Sequence, residues 1–382
     1  MEVYKTIEGD PRDKILAMVK DEELEEIMCI GPNKSWKVYH RKKGMMDTDL
    51  VLNDEELEEI VDWIIDRGKR KSMGKEIMMD MMLPEGARVN IVFPPAAING
   101  PYITIRLFPK NPLTIVDLVK NGTLSVEAAG YLWTVVDGFD TKPANIIITG
   151  GGGSGKTTLL NALTFFIPPD KRIITIEDTA ELNLPHKHWV RMEVPIGYDI
   201  DMDTLLKNAL RMRPDRLIIG EVRGEEARTL FTAMNVGHEG CMGTIHANSS
   251  IESISRITSP PMSVPMKMVE ALDLVLLMIK INTPQGARRI LAEVTEISGV
   301  EEKRVRINPL LKLDPKALAL KPTGVPSSLR DRISRAAGIS PTKFMEEVKR
   351  RAKIIDRLCK EELSSEEVFI RLHEEKEAFY LS

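Results

Sequence analysis

Apolar residues recur along this chain with two different spacings, and the switches between them mark its organisation. Residues 54–67 carry Leu57, Ile60, Val61, Ile64 and Ile65 on one helical face, with Asp54 placed to cap the first turn. Strand-like runs follow at 88–93 and 102–108, separated by Pro94-Pro95 and Asn99-Gly100-Pro101. Lys110-Asn111-Pro112 reads as a linker. Beyond it, helices at 114–120 and 125–136 precede a continuous apolar strand at 145–149. A helix at 156–166 is stopped by Pro168-Pro169, and a strand at 172–176 follows. An amphipathic helix at 203–212, a strand at 217–219, a helix at 225–235 and a strand at 241–245 continue the alternation. A late pair of strands, 273–281 and 289–297, is joined by Thr283-Pro284-Gln285-Gly286. Continuous apolar strands alternating with helices predict an α/β fold with a mostly parallel sheet covered on both faces.

From residue 321 the pattern changes. Pro322, Pro326, Ser327 and Ser328 mark a boundary, a basic helix follows at 340–359, and an acidic one at 364–377. They read as two solvated helices packing as a small cap. The expected division is therefore a smaller α+β N-terminal domain over 1–108, a hinge or linker at 109–113, the α/β domain over 114–320, and a short C-terminal helical extension over 321–382.

Composition narrows the class. The 382 residues exceed one ordinary core, and the apolar and charged fractions, 43% and 29%, are those of a soluble globular protein. A net charge of −4 implies no global attraction to nucleic acid or anionic membrane. Cys29, Cys241 and Cys359 are far apart, which argues against a zinc site or disulfide framework and for a reducing compartment. The charged residues 1–13 show no signal peptide. No apolar run approaches the ~18 residues of a membrane span, so any membrane association is expected through a partner or a surface patch.

The chemistry is concentrated after the 145–149 strand. Gly150, Gly151, Gly152, Gly153, Ser154, Gly155, Lys156 and Thr157 form the G-x-x-x-x-G-K-[ST] phosphate loop, between a strand and a helix. Glycines let successive backbone N–H groups turn inward around a polyphosphate, and the helix N-terminus, with Thr158 in its first turn, faces the same anion. Lys156 is expected on the β/γ-phosphates and Thr157 on Mg²⁺. Two further strands end in acids. Glu221 ends one and can orient or deprotonate an attacking water, or hold a water on the metal. Glu177 ends the other as a supporting carboxylate, with Asp178 as an N-cap or outer group. His246 sits at a third strand end, where it can donate to a γ-phosphate oxygen, though a lone histidine is more often structural.

Taken in order, the phosphate loop, Ile-Glu-Asp-Thr-Ala-Glu-Leu, Gly-Glu-Val-Arg-Gly and Gly-Thr-Ile-His-Ala-Asn-Ser resemble the secretion-superfamily ATPases, the hexameric motors of type II and type IV secretion, type IV pili and archaeal filaments. The resemblance runs roughly from residue 80 to 309. It implies a RecA-like P-loop ATPase domain in which Glu221 positions water, Glu177 is the supporting acid, and His238 and His246 are the paired histidines. Residues 83–90 and 104–106 resemble the family's N-terminal segment with nucleotide-sensing arginines, here Arg88 and Arg106. The four-cysteine insert of many type II motors is absent, and Val236 and Cys241 stand where many members have Thr and Ser. The resemblance further implies ATP and Mg²⁺ as cofactors, a homohexamer, and a polytopic membrane platform protein as partner. It also implies a cytoplasmic location at the membrane face, and closure of the N-terminal domain about the hinge. Two rivals remain at this point: a RecA-like nucleic-acid translocase, disfavoured because basic and aromatic residues are not interleaved and so no nucleic acid is expected, and a non-catalytic nucleotide-gated hub.

Overall fold

The computed structural model describes residues 3–68, 77–108, 112–195, 198–283, 286–301, 304–316 and 318–380, the last four by backbone alone. The chain divides into two compact units, Met1–Lys110 and Asn111–Ser382. Of the expected hinge at 109–113, residues 109–111 lie outside the described residues.

The first unit contains β1 (Val3–Tyr4), α1 (Pro11–Lys20), β2 (Leu24–Cys29), β3 (Ser35–His40), β4 (Gly44–Val51), α2 (Asp54–Arg67), β5 (Met78–Met82), β6 (Arg88–Val92) and β7 (Tyr102–Arg106). Its sheet runs β1-β4-β3-β2-β7-β6-β5, antiparallel apart from the β1/β4 pair. Leu57, Ile60, Val61 and Ile64 of α2 are buried with Ile15 and Met18 of α1 against Ile27, Val38, Val89 and Ile105 of the sheet. The cap of α2 is Asn53, not Asp54. Asn53 Oδ1 accepts from the Glu56 N–H and the Glu56 carboxylate accepts from the Asn53 N–H, both at 2.9 Å, a reciprocal box that leaves Asp54 inside the first turn. The apolar pattern marks none of the four strands before α2: β2 buries Leu24, Ile27 and Cys29 without strict alternation, and β1 has only two residues.

In the second unit, α3 (Ile115–Lys120) and α4 (Val126–Asp137) lead into β8 (Ile146–Gly150), α5 (Lys156–Thr164), β9 (Ile173–Glu177), β10 (Trp189–Glu193), α6 (Met202–Ala209), β11 (Arg216–Ile219), α7 (Glu226–Asn235), β12 (Met242–Ile245) and α8 (Ser250–Thr258). Then come β13 (Leu274–Thr283), β14 (Gly286–Glu301), β15 (Arg304–Asp314), β16 (Ala319–Pro322), α9 (Ser328–Ala336), α10 (Pro341–Leu358) and α11 (Ser365–Tyr380). The sheet order is β10-β9-β11-β12-β8-β13-β14-β15-β16. Pairs from β10 to β13 are parallel and those from β13 onward antiparallel. Alternate residues of the central strands point into two cores: Ile146 and Ile148 meet α4, α5 and the C-terminal helices, while Ile147, Ile174 and Ile176 meet α6, α7 and α8. That is the doubly covered α/β sheet expected from the strand composition.

The C-terminal helices are not a solvated cap. Phe344, Ile355 and Leu358 of α10, and Val368 and Leu372 of α11, share one core with Leu132 and Leu159. At Gly130 of α4 a β-carbon would stand 2.6 Å from the Val348 carbonyl and 2.8 Å from the Ala352 nitrogen, so the two helix backbones touch there. Beside that contact Arg351 is fully buried. It donates to Glu347 at 2.7 Å and Asp137 at 2.8 Å, and its guanidinium lies 5.0 Å from the Trp133 ring centre. Lys376 donates to Asp137 at 2.6 Å and Asp140 at 3.0 Å. The basic face of α10 thus supplies a buried ion cluster as well as a charged surface.

Candidate active site

The β8 strand delivers the phosphate loop at the C-terminal edge of the parallel sheet, where ligands of such sheets bind. Gly150 has φ +158, and a β-carbon there would lie 2.3 Å from the Met278 carbonyl and 2.5 Å from Ser154 Oγ, so only glycine fits. Lys156 opens α5. Its Nζ donates to the Gly150 and Gly151 carbonyls at 3.0 and 3.1 Å and lies 3.3 Å from His246 Nε2. Burial lowers the Lys156 pKa, with Glu221 pulling the other way. Thr157 and Thr158 follow in the first turn of the helix, partly buried. The loop fits an anion on two counts. Ser154 Oγ is buried with no partner among the described residues. Above Gly153 the space is open, with nothing within 4 Å of where a β-carbon would stand.

The acids arrive from neighbouring strands. Glu221, just past β11, has Oε1 3.6 Å from His246 Nε2, and its other oxygen accepts from Arg223. Burial would raise its pKa, but the Arg223 hydrogen bond and charge, with His246 and Lys156, hold it below the usual glutamate value. Glu177 ends β9 and is 2% exposed. Its Oε1 accepts from the backbone N–H groups of Glu181 and Leu182, both at 2.9 Å, while Oε2 has no hydrogen-bond partner among the described residues and Arg191 Nε stands 3.9 Å away. Burial dominates and lifts its pKa to about 7, so two acids on adjacent strands titrate in different ranges. A β-carbon on Gly220 would stand 2.9 Å from Glu177 Cγ, which fixes how closely the two strand ends pass. His246, just past β12, completes the group. Its pKa is lowered by burial and by Lys156. Hydroxyls stitch the strand ends together: Thr244 donates to the Gly220 carbonyl at 2.7 Å and Thr149 to the Ala247 carbonyl at 3.1 Å.

His238 stands apart from this group. It precedes β12, at the N-terminal edge of the sheet. There it lines a cavity of about 280 Å³ with Asp140, Lys171, Asp215 and Arg216. A four-residue strand spans roughly 13 Å, so His238 and His246 emerge at opposite edges and only His246 meets the phosphate loop. Asp178 caps no helix, since the described residues after it form loop. It stands 3.8 Å from Arg223 Nη1. Arg88 and Arg106 belong to the first unit, where they are directly paired across β6 and β7. Arg88 Nε is 3.3 Å from Asp80 Oδ1, and Arg106 pairs with Glu26 across β2. Sequence reasoning missed Glu226. Its Oε1 accepts the N–H groups of Arg223 and Gly224 at 2.6 and 2.7 Å and so shapes the turn that presents Glu221. An acid in the first turn of a helix is the signal that could have found it. Among the described residues, no cluster of His, Cys, Asp or Glu could hold a metal ion by itself, and no helix is long and apolar enough to cross a membrane.

Comparison with known proteins agrees with this architecture. The chain is 48% identical over 231 residues to an uncharacterized protein of Methanocaldococcus jannaschii, covering 59% of this chain but only 32% of that protein. It is 31% identical over 280 residues to the type IV secretion system protein VirB11 of Bartonella henselae, covering 64% of this chain and 78% of that one. The crystal structure of the Legionella pneumophila ATPase DotB superposes with a TM-score of 0.56 at 15% identity, over 97% of this chain and 99% of that one, a likeness of fold that includes the RecA-like P-loop domain. The family model described as type II/IV secretion system protein matches residues 14–358, and the chain belongs to that family.

Proposed function

We propose that this protein is a Mg-ATP-hydrolysing motor that drives protein secretion or the assembly of type IV pilus-like filaments. The observation that carries the reading is the convergence of Lys156, His246 and Glu221 within 3.3 and 3.6 Å of one another on the phosphate loop, with Glu177 buried on the next acid-ended strand. Residues 150–158 would cradle the phosphates through backbone N–H groups, with Lys156 on the β/γ end. The donor set suits Mg²⁺, which takes few protein ligands and completes its shell with phosphates and water. Thr157 would be the protein ligand, with Glu177 supporting the metal or its water. The bound metal would supply charge neutralisation of the phosphates. Glu221, ionised at neutral pH, is suited to orient the attacking water, and His246 to register a γ-phosphate oxygen.

In this reading, residues 1–108 act as a nucleotide-sensing domain whose Arg88 and Arg106 stabilise charge developing in phosphoryl transfer when the domain closes about 109–113, ahead of an ATPase domain over 114–320 and an extension over 321–382. Hydrolysis is thereby coupled to rigid-body motion. The motor is a homohexamer at the cytoplasmic face of the membrane, pushing on a polytopic platform protein. Steady-state phosphate release from Mg-ATP, measured against protein concentration for wild type and Glu221→Gln, tests the reading. Turnover per subunit that rises on assembly and is lost in the variant is the expected result. Turnover that survives Glu221→Gln removes the catalytic assignment, and turnover independent of concentration removes the assembled motor.

A further inference from the structure

The phosphate loop is flanked on both sides. Strand β12 brings His246 and Asn248 to one flank. Strand β13 and its antiparallel partner β14 form the other. From β14, Arg289 reaches across to the loop: its Nε donates to the Gly153 carbonyl at 3.0 Å. A β-carbon at Gly155 would stand 3.2 Å from Arg289 Cδ and 3.7 Å from its Cβ, so the aliphatic stem of the arginine lies directly over the loop's last glycine. Met278 of β13 meets the same loop, its Cε 3.5 Å from where a β-carbon would stand at Gly155 and its carbonyl against Gly150.

The charge state of this flank differs from that of the other. Lys156 and His246 have Glu221 beside them, and Arg223 is paired with Glu221 and Asp178. Arg289 has no carboxylate partner among the described residues, and its hydrogen bond to Gly153 does not neutralise it. A guanidinium carries five N–H donors in a planar fork. One is used on the loop backbone, which anchors the group where it meets the cradle formed by residues 153–155. An exposed arginine with no other purpose would extend into water, because holding a long side chain over a loop costs rotamer entropy.

We propose that Arg289 is a binding residue for the α/β-phosphate portion of a nucleoside polyphosphate, closing the anion site on the flank opposite Lys156 and His246. This rests on the nucleotide reading given above and adds a ligand contact from the β13/β14 hairpin. Because the backbone cradle holds the α/β-phosphates whereas the loop lysine serves the β/γ end, Arg289 contributes equally to ADP and ATP. It is a contact of uniform binding, distinct from the transition-state role of Glu221.

Equilibrium titration of the full chain with MgADP at two salt concentrations tests it, for wild type, Arg289→Lys and Arg289→Gln. Arg289→Gln keeps an amide N–H able to reach the Gly153 carbonyl but removes the charge. Arg289→Lys keeps the charge. The expected result is a Kd weakened on the order of tenfold in Arg289→Gln, with a shallower salt dependence, and a much smaller loss in Arg289→Lys. MgADP binding unchanged in Arg289→Gln overturns the proposal. So does equal weakening in both variants with the wild-type salt dependence, which would make Arg289 a brace for the loop and nothing more. Wild-type chain that is folded yet binds no MgADP overturns the nucleotide reading itself, and this contact with it.

Discussion

Two clusters of charge lie at opposite edges of one sheet, and they are built on opposite terms. At the N-terminal edge, Asp137 receives both Arg351 and Lys376, Arg351 also holds Glu347, and Asp140 shares Lys376. Each buried charge there has a counter-charge, Asp137 and its two basic partners from different helices and Glu347 from its own. At the C-terminal edge, among the described residues, Glu177 keeps one buried oxygen without a hydrogen bond, Ser154 Oγ has no partner, and Lys156 settles for backbone carbonyls. A cluster satisfied from within contributes to holding the fold. A cluster left incomplete is disposed to take a ligand, at a cost in stability that the remainder of the fold offsets.

The widest separation between the two edges is expected from Lys156→Ala, which should reduce phosphate release by at least about 100-fold without lowering the urea midpoint of the ligand-free chain. A lowered midpoint would mean that the loop lysine is structural and would erase the contrast. Next, Arg351→Ala leaves Asp137 and Glu347 short of a counter-charge and should lower unfolding stability by about 3–5 kcal/mol, read from urea denaturation. Unchanged stability would show the cluster to be idle.

The pH dependence of stability sharpens the comparison, because the two regions carry opposite signs. Glu177 has its pKa raised from 4.5 to about 7, so the folded chain holds a proton that the unfolded chain has released. Its contribution to stability therefore falls as pH rises from about 4.5 to about 7. His373 on α11, whose Nε2 is 3.1 Å from the Phe165 carbonyl, has its pKa lowered from 6.5 to about 4 by burial. Its contribution is present above about 6.5 and lost as pH falls toward 4. Glu177→Gln should flatten the first slope and His373→Gln the second, each seen by melting across that range. If one variant moves the other's window, the assignments are wrong. The smallest effect is that of Ser154→Ala, which removes a buried hydroxyl without a partner and should stabilise the ligand-free chain by up to about 1 kcal/mol. A loss of stability instead would mean that the hydroxyl is satisfied in solution.

The loop and the acid-ended strands were legible in the sequence because their chemistry is contiguous: glycines, serine, lysine and threonine occupy eight successive positions, and each acid closes an apolar run. What escaped depended on distance. Arg351 reads as one of several charges on a basic helix, and only its partner 214 residues earlier makes it a core residue. Strand β10 is half-buried along its length and offers no clear period, and β16 has four residues, too few to carry one. His238 is the opposite case, close in sequence and apart in the fold. The family resemblance paired it with His246, but a strand runs between them and carries them to different edges. Asp54 was read as the cap of α2 because aspartate is a good cap, but so is Asn53 beside it, and the reciprocal bond with Glu56 decides for Asn53.

The span of the ion cluster also bears on how the chain is made. Asp137 leaves the ribosome 214 residues before Arg351 and 239 before Lys376. At ordinary rates of elongation the interval is on the order of 10–50 s. Through that time the central strands and the phosphate loop are already synthesised, while an acid destined for the interior still has neither of its basic partners. The nascent α/β core therefore cannot seal its α4 face until α10 and α11 emerge, and a break in translation before them would release a polypeptide with the entire phosphate-loop motif and an open, charged flank, a natural client for chaperones.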